Sequence, residues 1–447
     1  MIITNGKIVT WSDNNKILTG QALLIQGNKI SKIGNQEQIL NLYHDEQIID
    51  AGGQYIMPGL ICAHTHFYGA YARGMAIPGD APSAFPEILS KLWWPLDKSL
   101  DEKSVAASTW VCVLDAIKHG ATTLFDHHAS PNAISDSLDV ISSVVNHSGI
   151  RASLCYEVTD RDGLDKAEAG IRENARFLKK IKQGDTLNGR LSGTFGLHAS
   201  LTLSDSTLDK CKESNIDNFG FHIHVAEHIV DEYDSLKKSG KRVIDRLEDH
   251  GILGENSIVA HAVHVDNLEI QKLAESGTWV THQPRSNMNN AVGIADVESM
   301  MRTGVNVCLG NDGFSNTMWD EWKTAYLVHK LVNGDPRRMG GYELINMAIY
   351  NNAKLATSQF GLPVGKLEEG YQADIIFVDY LPYTPMTAGN IPWHIVFGMQ
   401  HSMITSTMVA GKLLYHNRAF VTIDEKKIMA DAMQLAENVW KHYQTQF

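Results

Sequence analysis

The strongest constraint on the fold of this chain is a recurring texture in its centre. Eight short β-prone runs follow one another: LICAHTH (60–66), ATTLFDHH (121–128), RASLCYE (151–157), SGTFGLH (192–198), FGFHIHVAE (219–227), SIVAHAVH (257–264), TWVTHQ (278–283) and VNVCLGND (305–312). Most of them close on polar or ionisable residues. Stretches long enough for a helix separate most of them. Residues 101–118 put Val105, Val113, Leu114 and Ile117 at helical spacings. Asp266 with Glu269 reads as a capping pair that opens another helix. Eight strand–helix units predict an α/β fold, a (β/α)8 barrel with its chemistry at the C-terminal strand ends. The longest connection, about residues 67–100, is expected to fold over the mouth.

The two ends of the chain read differently. IITNGKIVT and QALLIQGNKISKIG are short strands with tight turns, and the texture returns after residue 363 in VGKLEEGYQADIIFVDY and TSTMVAGKLLYHNRAF. Both ends therefore predict one small sheet domain. From IDEKKIMADAM onward the sequence reads as an amphipathic helix.

Composition narrows the function. With 39 Lys and Arg against 51 Asp and Glu, the net charge is −12, which disfavours a nucleic-acid partner. No apolar run has the roughly 20 residues a membrane span needs, and the start lacks the pattern of a secretory leader. Five scattered cysteines without a CxxC fit a reducing compartment, so the expected location is cytoplasmic.

His64-Thr65-His66 carries the chemistry. Residues i and i+2 of a strand share a face, so both imidazoles can reach one ion. They close an apolar strand that begins after Pro58-Gly59. His222-Ile223-His224, with Glu227 beyond, offers a third ligand from one of its two histidines. His261 ends the sixth run and Asp312 the eighth. Three imidazoles, a carboxylate and an open position suit a hydrolytic Zn²⁺ site, where a bound water falls in pKa from about 16 to about 7. Any one of these histidines alone reads as a hydrogen-bonded core residue; together, at the ends of different strands, they read as a site.

PGLICAHTH, HVAE, AHAVH, GNDG and the stretch Gly365-Lys366 through Gly370 to Ala373-Asp374 resemble the amidohydrolase superfamily, in its branch of single-metal aminohydrolases and deaminases. LWWPLDKSLDE, DHHASP, Thr159-Asp160-Arg161 and RSNMNN are similar to the SsnA group within it, which is related to S-adenosylhomocysteine and guanine deaminases and to triazine hydrolases. The resemblance covers essentially the whole chain. It implies a distorted (β/α)8 barrel over 58–362, a β-sandwich from 1–57 and 363–422, and a C-terminal helix over 423–447. It implies His64, His66, His224 and Asp312 as ligands of one divalent metal, Zn²⁺ first, with Fe²⁺ or Mn²⁺ open. Asp312 would also take the proton of the attacking water, Glu227 would protonate a ring nitrogen, and His261 would polarise the water or oxyanion. His222 would then be structural. Relatives also suggest a homodimer or higher homo-oligomer.

For the substrate, an amino-substituted purine, pterin, pyrimidine or triazine, the expected contacts are Trp93, Asp97, His128, His198, Arg285 and Asn287. Asp97 stands where nucleoside deaminases of the branch carry a ribose-contacting Glu, and Tyr156-Glu157 where they carry an Arg; both departures argue against a nucleoside. Glu157, Asp160 and Arg161 line the pocket or pair on the rim. Arg285 has a plainer reading, a loop Arg paired with a surface acid. Two other functions compete: loss of halide or alkylamine from a triazine-like ring, and a catalytically silent scaffold.

Overall fold

The computed structural model describes all 447 residues. The central runs form parallel strands, and nearly every residue in them is buried. One sheet joins Leu60–Thr65, Ala121–His128, Arg151–Tyr156 and Leu191–Gly193; a second joins Phe195–Ala199, Phe221–Val225, Ile258–His261, Trp279–His282 and Val307–Leu309. The fourth run, expected as one strand, is thus split at Thr194 between the two sheets. The ladder does not run unbroken round a ring. The arcs meet at two isolated parallel bridges, Val158 with Leu197 and Thr65 with Asp312.

Helices cover these strands as their patterns predict. Glu102–Lys118 starts at a capping box between Asp101 and Ser104, and Asn267–Glu275 at the Asp266–Glu269 box. Each box satisfies amide donors that the first turn leaves without partners.

The chain ends form two further sheets. A seven-stranded one interleaves both ends, including Lys7–Val9, Tyr55–Pro58, Ile375–Val378 and Ile404–Val409; a four-stranded one comes from residues before 51. Ile3, Ile25, Ile56, Ile375 and Phe377 share a buried apolar cluster between them. Arg151 ties the terminal sheets to the parallel ones. Its guanidinium donates to both oxygens of Asp374 at 3.0–3.2 Å, and both side chains are buried.

The connection over 67–100 folds into a short 3-10 turn, Phe67–Ala72, and a helical stretch from Phe85 to Lys98 that contains a π turn at Leu89–Trp93. The C-terminal helix, Glu425–Gln444, braces it: Trp440 donates to the carbonyl of Tyr71 at 2.8 Å, and Tyr443 donates to that of Lys91. No helix is long and apolar enough to cross a membrane.

Candidate active site

Three histidines converge because their strands run parallel and end at one level. His64 and His66 close Leu60–Thr65, and His224 lies in Phe221–Val225. Each ring is fixed through Nδ1: His64 against Nε2 of His222 at 2.9 Å, His66 against the carbonyl of His127 at 2.5 Å, His224 against the carbonyl of His198 at 2.7 Å. All three therefore turn Nε2 inward. Nε2 of His66 lies 3.1 Å from that of His224 and 2.9 Å from Oδ1 of Asp312; Nε2 of His64 lies 3.3 Å from the same oxygen. His222 stands behind His64, the supporting position expected for it. Partners of this kind set the tautomer and orientation of a metal-binding imidazole.

Asp312 reaches the cluster through backbone that is left-handed, at φ 57°, and it is locked by amide bonds from Asn311 and Asp312 to the carbonyl of His64. Ser286 donates to its other oxygen at 2.5 Å. Burial pushes its pKa up, but the ring nitrogens of His64 and His66 more than reverse that and hold it well below the usual range. His261, also left-handed at φ 73°, sits 3.5 Å from Glu227 and is held by Asn287 at 3.1 Å. Burial lowers its pKa to about 4, so the ring is neutral at pH 7. Glu227 shows the opposite shift. Burial first, and the charge of Asp312 second, raise it well above the ordinary value. Asn290 donates to its Oε1 at 3.2 Å.

These groups open into a cleft of about 660 Å³. His66, His198, His224, Glu227 and Asp312 line it, with Trp93 as expected, and Phe85, Leu89 and Trp94 roof it from the 67–100 connection. The remaining expected contacts lie elsewhere. Asp97 is buried in an ion pair with Arg161, and it is Arg161 that reaches the cleft, stacked over Trp94 at 5.4 Å. His128 packs behind Tyr68 and bonds Ser130 at 2.9 Å. Arg285 turns away to the buried Glu321 at 2.5 Å and to Ser315 and Thr317, because its neighbours on one helical face, Ser286 and Asn290, take the inward positions. Asn287 supports His261 and does not line the cleft. Asp160 is used locally, by Ser204 and Thr207. Sequence reading missed Phe85 and Leu89, although with Trp93 they repeat every four residues, the signal of one helical face.

The amidohydrolase family matches residues 55–414. A 5'-deoxyadenosine deaminase of Methanosarcina acetivorans is 32% identical over 444 residues, covering 98% of each chain. A 5-methylthioadenosine/S-adenosylhomocysteine deaminase of Acetivibrio thermocellus is 30% identical over 446 residues, covering 98% of this chain and 99% of that one. A zinc-bound adenosine deaminase of Xanthomonas campestris superposes with a TM-score of 0.83 at 22% identity, over 98% of each chain. The chain belongs to the amidohydrolase family.

Proposed function

We propose that the protein is a metal-dependent hydrolytic deaminase that replaces an exocyclic amine on an N-heterocycle by water and releases ammonia. The observation that carries this reading is one constellation: three imidazole Nε2 atoms and a carboxylate within 4.8 Å of one another, beside a protonatable glutamate in an aromatic-roofed cleft. Relatives named as deaminases of adenosine derivatives support the reaction class.

The donor set fits one divalent cation. Nε2 of His64 is buried without a hydrogen-bond partner, which an imidazole tolerates poorly unless a cation takes the lone pair. His64, His66, His224 and Asp312 would hold the ion, with nitrogen and oxygen donors that suit Zn²⁺. Such an ion, when bound, acidifies water and supplies a nucleophile near neutral pH.

The remaining steps belong to the chain. Asp312, kept ionised and aimed by Ser286, accepts the proton of the attacking water. Glu227, kept protonated, donates to the ring nitrogen next to the carbon attacked. Neutral His261 stands at Glu227 to bond the developing oxyanion or the water. The proton gathered by Asp312 leaves on the amine as ammonia. Trp93 and Trp94 offer flat apolar surface for the ring.

In the architecture that supports this reading, the two parallel arcs make one distorted (β/α)8 barrel over 58–362. Residues 1–57 and 363–422 pack as a β-sandwich, and 423–447 is the bracing helix. Five buried free cysteines are consistent with a cytoplasmic location. The test is ammonia release by zinc-loaded protein across amino-purines, amino-pyrimidines, pterins and amino-triazines, with chloro- and alkylamino-triazines added and Asp312→Asn as the blank. Release that needs Asp312 is expected. Chloride or alkylamine release without ammonia would replace the reading with that of a triazine-type hydrolase.

A further inference from the structure

Glu157 has no counterpart in the steps above, yet it is 2% exposed and lines the cleft. Its position follows from the third parallel strand, whose last residue, Tyr156, directly precedes it. Oε1 lies 3.2 Å from Nδ1 of both His66 and His127. Oε2 receives no hydrogen bond from the chain and stands 3.8 Å from Nε2 of His198. His198 is itself committed on its other side. Its Nδ1 lies 2.7 Å from the hydroxyl of Thr202, which is 3.1 Å from the carbonyl of Ala199; with the hydroxyl proton on that carbonyl, the ring donates from Nδ1. A neutral ring that donates from Nδ1 carries a lone pair on Nε2. Two acceptors thus face the cleft side by side, and the protein provides no donor between them. Both residues line the cleft, where such acceptors are free to take a donor from a bound ring.

The two flanks of the cluster differ in this respect. The strands of His198 and His261 lie on either side of the His224 strand. On the His261 side Glu227 offers a proton; on the His198 side Glu157 and His198 offer only lone pairs. Arg161, the one cation in the cleft wall, is engaged by Asp97 and Asp162 and does not fill the gap.

We propose that Glu157 and His198 select the substrate edge, binding a ring N–H next to the reacting carbon while Glu227 serves the lone-pair nitrogen on its other side. The inference rests on the deaminase reading and deepens it. It names the class as 2-amino-4-oxo rings of the guanine, pterin or isocytosine kind, whose amine-bearing carbon has one lone-pair nitrogen and one N–H as neighbours. An adenine-type ring has only lone pairs or carbon at those positions. It would set carbon, or in 2-aminopurine a nitrogen lone pair, against two acceptors with no donor to offer, and this polar mismatch is the kind that costs large factors in specificity.

The matched probes are guanine and 2-aminopurine, which share the amine and the nitrogen beside it but differ at the N–H. With zinc-loaded protein, kcat/KM for guanine should exceed that for 2-aminopurine by about 100-fold or more. Glu157→Gln exchanges one acceptor for a donor. It should lower the guanine value about 100-fold and collapse the ratio, with melting temperature and one metal per chain retained. Similar rates on the two rings, or a ratio unchanged in Glu157→Gln, would overturn the inference and leave deamination standing. Two metals in the wild type and one in Glu157→Gln would overturn it differently, by making Glu157 a ligand. If neither ring is turned over, the deaminase reading fails for them, and the acceptor pair is judged by binding. Guanine should then raise the melting temperature more than 2-aminopurine does; equal shifts reject it.

Discussion

The two ends of the parallel strands are built on opposite principles. At the end facing the terminal sheets, Arg151 and Asp374 satisfy each other through several hydrogen bonds, and Ala410 donates to the same carboxylate at 2.7 Å. At the other end, Nε2 of His64 and of His261 and Oε1 of Glu157 are buried without hydrogen-bond partners, and Ala226, His261, Ala262 and Asp312 adopt left-handed backbone. Non-glycine residues in that region cost of order 1–3 kcal/mol each and persist where the surroundings hold them. One end holds a buried ion pair completed inside the chain, and the other gathers ring nitrogens and a carboxylate that the chain leaves without partners. Substitutions at the two ends should therefore fail in different ways.

The largest effect is expected for Asp312→Asn. It keeps the shape but removes the charge that the proposed function uses to accept the water proton, and kcat should fall by about 10⁴-fold or more, as for other residues that act only in the reaction. Thermal unfolding should show metal-free stability within about 1 kcal/mol of wild type, because the residue is held in costly backbone. Asp374→Ala is the counterpart. It leaves the Arg151 guanidinium buried and unpaired, which costs about 3–5 kcal/mol. Denaturant titration should report that loss, while the surviving folded fraction turns over at the wild-type rate per bound metal. A large kcat defect in the folded fraction would mean that the two ends are coupled.

His222→Ala lies between these cases. It removes the partner of His64 Nδ1 without touching the inward-facing atoms, so metal affinity should drop about 10–100-fold. Titration with a competing chelator measures this directly. Unchanged affinity would show that burial alone orients His64.

The contrast also explains what could be read from the sequence. The histidine-rich end was legible because parallel strands impose a period of two and a common level. His64, His66, His224, His261 and Asp312 each sit where a run ends, and the runs were visible as apolar stretches. The cleft walls were legible only in part. Arg285 pairs with an acid, as its plainer reading has it, though the partner Glu321 is buried and not on the surface; side-chain direction on the short helix Pro284–Asn289 is set by a period near 3.6, which sends Ser286 and Asn290 inward together. Asp97 and Arg161 are far apart in the chain, and nothing local told which of the two would reach the cleft. The split of the fourth run at Thr194 was hidden too, since Leu191–Gly193 and Phe195–Ala199 have the same composition whichever neighbour they pair with.

Asn290 gives the smallest and sharpest test of the open end. In the proposed function Glu227 acts as an acid, so kcat/KM should hold while its carboxyl is protonated and fall as pH rises through its raised pKa. The hydrogen bond from Asn290 favours the ionised form and so works against that elevation. Removing it in Asn290→Ala raises the pKa further, and the alkaline limb of the pH–rate profile should move up by about one to two units, roughly the worth of one hydrogen bond to a charged group. The acid limb, which reports Asp312, should stay where it is, since Asn290 does not contact that carboxylate. A downward shift of the alkaline limb would mean that Asn290 bonds the protonated carboxyl instead, accepting its proton through the amide oxygen, and that the proton on Glu227 is held in place before the ring arrives.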